Sequence, residues 1–189
     1  LENLDKPVLA AVNGAALGGG CELMLACACV VADRHARFGQ PEINLNLLPG
    51  YGGTQRLPRR LYQRRGEEGL LEAVRLIASG RAVDADEALG AGLIDVVVSR
   101  RGPVEAAMAL VREYLAGDGV LRDAMTRHRA YLEAREEPLP YDASLLEDPR
   151  LVPTLAQLRA GGRGHCLDRI IDAVSFGARE GQAAGLRHE

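Results

Sequence analysis

The chain has 189 residues, 47% hydrophobic and 26% charged, an ordinary globular composition long enough to bury a core of its own. Its net charge of −3, from 23 basic and 26 acidic side chains, gives no general positive field for nucleic acid or an anionic membrane. No apolar run approaches the ~18 residues of a membrane helix, and four cysteines without a C-x-x-C pair read as reduced, packed thiols rather than a disulfide scaffold or zinc site.

From the amino end, Val8 to Val12 is a continuous apolar run closed by Asn13-Gly14, which predicts a strand covered on both faces. Gly18-Gly19-Gly20 breaks the chain, and Cys21 to Ala28 reads as a buried helix. Val30 to Asp33 and Ala36 to Gly39 read as two short strands. Pro41 to Gly53 reads mostly as loop, punctuated by Pro49-Gly50 and Gly52-Gly53. Helical spacing then places Leu70, Leu71, Val74 and Ile77 on one face of a helix over 67–79. Asp84 opens another helix with acids at its positive end, ending at Gly90 or Gly92 before an apolar strand from Leu93 to Val98. Pro103 to Leu115 is a third helix, its proline suited to the first turn. Asp118 to Gly164 reads as an irregular excursion, and Ile170, Ile171 and Val174 mark a last helix. Helices that follow strands imply an α/β layered fold. The expected division is a core over 1–100 and a helical region over 101–189.

The glycine triplet is the first feature with chemical content. It lets the backbone turn tightly, and the helix behind it offers free N–H groups to a phosphate or a developing oxyanion. Neither nucleotide fingerprint fits, because Leu23 stands where G-x-G-x-x-G needs glycine and no Walker lysine follows. A purely structural turn would also account for it. Glu22 lies in the first turn of an otherwise apolar helix, where burial is costly unless the carboxylate caps or works. Glu42 is a second isolated acid, after Gln40-Pro41, with a solvated loop carboxylate as its plain alternative. The arginines Arg56, Arg59, Arg60, Arg64 and Arg65 read as a solvated helix face, with phosphate contact as the other reading.

Taken together, three stretches closely resemble the core signature of the crotonase (enoyl-CoA hydratase/isomerase) family. They are Asn13-Gly14-Ala15-Ala16-Leu17-Gly18-Gly19-Gly20-Cys21-Glu22-Leu23, Phe38-Gly39-Gln40-Pro41-Glu42, and Leu48-Pro49-Gly50-Tyr51-Gly52-Gly53-Thr54-Gln55-Arg56-Leu57. Ser79-Gly80-Arg81 and Ala85 to Ile94 resemble its next block, and the likeness is strong from Leu4 to Val98. The resemblance implies an α/β fold, a crotonase-like ββα superhelix whose first part is missing, with a C-terminal helical trimerisation region. It implies an acyl-CoA enzyme, most simply one hydrating 2-enoyl-CoA to 3-hydroxyacyl-CoA. Gly19 N–H would serve the oxyanion hole, Glu22 and Glu42 would be the catalytic acid–base pair, and Gly18, Gly50 and Gly52 would line the substrate. No metal and no cofactor beyond the coenzyme A thioester substrate are implied. The expected partners are acyl-CoA and further copies in a homotrimer or hexamer, without nucleic acid or membrane, in the cytoplasm or a mitochondrial matrix.

The resemblance also has departures. Ala28 stands where the family usually has Asp, and Leu61 to Gly69 looks longer than the usual link. The chain starts at Leu1, just before the glycine turn, so a preceding part with the second oxyanion donor is expected elsewhere. The tail from Cys166 resembles the closing helix of multifunctional β-oxidation chains, in which a dehydrogenase module would follow. Isomerase or hydrolase chemistry on the same fold, and a non-catalytic assembly module, are the competing readings.

Overall fold

The computed structural model describes residues 1–4, 6–99, 102–117 and 119–189. The expected division between 100 and 101, and the expected start of the irregular segment at Asp118, lie outside the described residues.

The chain lays down its short strands in pairs, one for each of two small sheets. β1 (Leu9–Val12) and β2 (Ala15–Leu17) precede helix α1 (Gly19–Leu25), and β3 (Cys29–Asp33) and β4 (Arg37–Gly39) follow it. β5 (Val83–Asp84) and β6 (Val96–Val98) flank helix α3 (Ala85–Ala91). The first sheet runs β1-β3-β6, all parallel, with Leu9 opposite Cys29 and Val31 opposite Val96. The second runs β2-β4-β5, with β2 parallel to β4 and β5 antiparallel to it. β2 was not expected: Ala15, Ala16 and Leu17, set between glycines, are too few to carry a periodic signal.

Central position explains the composition of β3. Val30 and Ala32 face the main core, while Cys29 and Val31 pack against Ala106, Ala107, Leu121 and Ala124 of the helices behind. A parallel strand covered on both faces is apolar throughout. The same cover was expected for the first apolar run, and there the structure differs. β1 is an edge strand, only half-buried, with Ala11 exposed.

Helix α2 (Gly53–Ser79) is two helices joined at a corner, because Gly66 sits at φ 59°, ψ −141°. The corner folds the second half back on the first so tightly that a side chain on Gly69 would meet the Leu61 carbonyl. Only the second half was anticipated. The first half carries the arginines, and of the five only Arg65 is exposed; the other four are not a solvated face. Arg59 and Arg60 are 4% and 7% exposed. Arg59 donates to the carbonyls of Glu137 and Gly177, and Arg60 to those of Leu25 and Cys27. Arg60, Arg64 and Arg127 converge on the fully buried carboxylate of Asp95, which also accepts Val30 N–H. Burial alone would disfavour that charge, but the guanidiniums hold the Asp95 carboxyl below the ordinary aspartate range.

α3 begins at Asp84, whose carboxylate accepts Glu87 N–H, and ends at Gly92. α4 (Pro103–Leu115) lies where its sequence places it, with the proline in the first turn. The tail is far more regular than expected. It holds α5 (Val120–Ala134), a short 3-10 turn (Ala143–Glu147), α6 (Val152–Ala160), α7 (Gly164–Glu180) and α8 (Gln182–His188). α7 packs along α2 and against α8. All four cysteines are free, and burial pushes the Cys21 and Cys29 thiols up to about 12. Among the described residues no helix is long and apolar enough to cross a membrane.

Candidate active site

The site is assembled at the end of β2. Gly18 follows it with φ 53° and ψ −126°, a conformation that side-chain-bearing residues avoid, and its N–H donates to the Gly39 carbonyl at 2.9 Å. That bond ties the turn to β4. Gly19 then opens α1, where the first N–H groups have no acceptor within the helix. Buried Cys21, Met24 and Leu25 seat the helix in the core, which carries Glu22 inward to 3% exposure.

Glu22 does cap a helix, but not its own. Its Oε1 accepts the N–H groups of Tyr51 and Gly53, each at 2.8 Å, at the start of α2. Two donors at one oxygen fix the carboxylate in place, and Oε2 receives no hydrogen bond from the described residues. That oxygen lies beside Gly19: a side-chain carbon built there would stand 3.9 Å from it. Leu23, Ala26, Tyr51 and Arg56 line the adjoining groove.

Glu42 reaches the same turn from the other side. It sits in a 3-10 turn (Pro41–Leu45) directly after β4, and a side-chain carbon on Gly18 would lie 2.8 Å from its Oε1. The buried Gln40 amide, with its nitrogen toward Glu42, is 3.3 Å from both carboxylate oxygens. Burial pushes the Glu42 carboxyl up, and the negative charges of Glu22 and Glu189 push it further. The two glutamates expected as a pair are therefore brought together at the glycine turn, one rigidly held and one inclined to keep its proton.

Of the other expected residues, Gly50 is exposed on the loop before Tyr51. Gly52 N–H is taken by a carboxylate oxygen of Glu189 at 2.7 Å. Sequence reasoning missed Tyr51 and Gly53 as the donors to Glu22, and missed Gln40 and Glu189 altogether. The Gly-rich loop was the available signal for the first two. No group of three or more His, Cys, Asp or Glu side chains among the described residues could hold a metal ion. The arrangement provides two carboxylates and a free helix-start N–H around one small space. It can move protons to and from a molecule whose carbonyl oxygen gains charge.

A family profile described as enoyl-CoA hydratase/isomerase matches residues 1–149. Among solved structures, a carnitinyl-CoA dehydratase from Mycobacterium avium 104 is 30% identical with a TM-score of 0.56, over 92% of this chain and 62% of that one. An enoyl-CoA hydratase from Mycobacterium tuberculosis H37Rv is 27% identical with a TM-score of 0.53, over 89% and 64%. An enoyl-CoA hydratase from Mycobacterium smegmatis is 27% identical with a TM-score of 0.54, over 85% and 66%. The chain thus spans a little under two thirds of the length of these relatives.

Proposed function

The chain belongs to the enoyl-CoA hydratase/isomerase (crotonase) family and has its α/β crotonase-like fold, and from there we propose that it serves to add water across the double bond of a 2-enoyl-CoA thioester. The observation that carries this reading is the convergence of Glu22 and Glu42 on the Gly18–Gly19 turn. Hydration needs a base for water, an acid for the α-carbon, and donors for the thioester oxygen as it gains enolate charge. Gly19 N–H serves as one such donor, a reading supported by its position at the start of α1. Glu22, held by Tyr51 and Gly53, orients the water and takes its proton as the hydroxyl joins the β-carbon. Glu42, whose raised carboxyl favours the protonated form, delivers a proton to the α-carbon. The product is a 3-hydroxyacyl-CoA, and the two carboxyls end the cycle with one proton between them, as they began.

Gly18, Gly50 and Gly52 would shape the space beside the acyl thioester, and no cofactor other than the coenzyme A of the substrate is called for. A homotrimer or hexamer goes with this reading, and the apolar stripe Val104, Met108, Val111 and Leu115 exposed along α4 is surface available to it. Hydration of crotonyl-CoA, followed by loss of the conjugated thioester's absorbance, tests the proposal. Glu22→Gln and Glu42→Gln should each lower kcat by about 10²–10⁴. Double-bond migration that survives Glu22→Gln would replace hydration with isomerisation, and no turnover in the full-length protein, with the second oxyanion donor present, would overturn the reading.

A further inference from the structure

Glu189 brings a third carboxylate to the Gly-rich loop. Glu189, at the end of α8, accepts Gly52 N–H at 2.7 Å through Oε2, and Thr54 N–H at 3.1 Å and the Thr54 hydroxyl through Oε1. Glu22 accepts the alternate N–H groups, Tyr51 and Gly53, from the opposite side. Four consecutive amides at the start of α2 are thus divided between two carboxylates, odd numbers to one and even numbers to the other. A shift of the loop by one peptide would break both sets.

The element that presents Glu189 is itself firmly seated. Gln182 is 1% exposed and bonds to Glu2 and Tyr131. His188 pairs with Asp172 at 2.7 Å and stacks on Phe176 at 4.2 Å. Gln55 is pressed between Gly177 and Gly185, where α8 crosses α7, and donates to the Ala173 carbonyl at 2.9 Å. A fraying tail would not be held from three sides.

We propose that Glu189 is a positioning residue: it clamps the Tyr51–Thr54 loop in the register that orients Glu22, and so couples the α7–α8 hairpin to the acid–base pair. It acts through the loop rather than on substrate. This rests on the reading of Glu22 and Glu42 as that pair. The charged groups facing it are Glu22 from α1, Glu42 from the 3-10 turn, and Arg56 from α2. His188, on its own helix, is engaged by Asp172. The Glu189 charge is one of those that raise the Glu42 carboxyl.

The test compares Glu189→Ala and Glu189→Gln with the unaltered protein, using residue-resolved hydrogen exchange and a carbon-13 titration of the Glu42 carboxyl. In Glu189→Ala, exchange at Tyr51 and Gly53 should quicken about tenfold or more while the middles of α2 and α7 stay protected. The Glu42 midpoint should fall in both variants. Glu189→Gln, which keeps one acceptor, should retain more protection than Glu189→Ala, and kcat should follow the same order with KM little changed. Unchanged exchange at Tyr51 and Gly53 in Glu189→Ala would overturn the proposal. So would an unmoved Glu42 midpoint. Exchange and titration do not depend on turnover, so a protein that fails to hydrate crotonyl-CoA would sink the functional reading while this result stood.

Discussion

Burial of a carboxylate beside two others has a cost that depends on pH. The Glu42 carboxyl is raised above its ordinary range by burial and then by the charges of Glu22 and Glu189. A group whose folded value lies above its unfolded value adds stability below the unfolded value and loses that contribution as pH rises through the folded one. Glu42→Gln removes the charge and keeps the shape. It should therefore raise the melting temperature at pH 7 by about 1–3 °C, the response of a domain this size to well under ~1 kcal/mol after solvent screening at a half-exposed group. The gain should vanish below the ordinary carboxylate range, and thermal melts at pH 4 and pH 7 check it. Both glutamates were legible in the sequence because the chemistry demands neighbours: a glycine turn before one and a Pro-Gly loop after the other. Glu189 was not, because an acid in a charged tail becomes meaningful only when distant segments meet.

At the scale of elements, the arginines teach a similar lesson. A run of charges on a helix usually faces water, yet here Arg59 and Arg60 are buried among carbonyls and Arg60, Arg64 and Arg127 share Asp95. Asp95→Ala would leave those guanidiniums without a counter-charge in a dry place, which costs about 3–5 kcal/mol. Urea unfolding should show a lower midpoint with an unchanged slope. The linkage runs opposite to that of Glu42: the Asp95 contribution is present above the ordinary aspartate range and is lost as pH falls through the depressed folded value. Strands with continuous or paired apolar residues were readable, as were helices with a clean apolar stripe. α5 was not, since Leu121, Ala124 and Tyr131 are a thin buried line in a stretch crowded with arginine and glutamate. The first half of α2 was hidden by Pro58 and by arginines whose partners are carbonyls far away in sequence.

For the whole molecule, the α/β character followed from helices alternating with short apolar strands, while the two-sheet arrangement did not. Pairing β1 with β3 and β2 with β4 needs β2, and β2 is too small to announce itself. The exposed stripe on α4 bears on assembly. Light scattering on the unaltered protein should give a trimer or hexamer, and Met108→Glu, which puts a charge in the middle of that stripe, should lower the mass. A monomer in both would detach the oligomer from the functional proposal.

The bond between Gly52 and Glu189 joins residues 137 positions apart. Contacts of that range form late, because a long loop must close before they return anything. On a chain made from its amino end, both catalytic candidates and the glycine loop are synthesised well before the residue that clamps them. The α7–α8 hairpin is therefore the element whose docking sets the moment of maturation. Until it arrives, the two sheets can stand, but the core still lacks Leu167, Ile170 and Val174 and Glu22 still lacks a fixed aim.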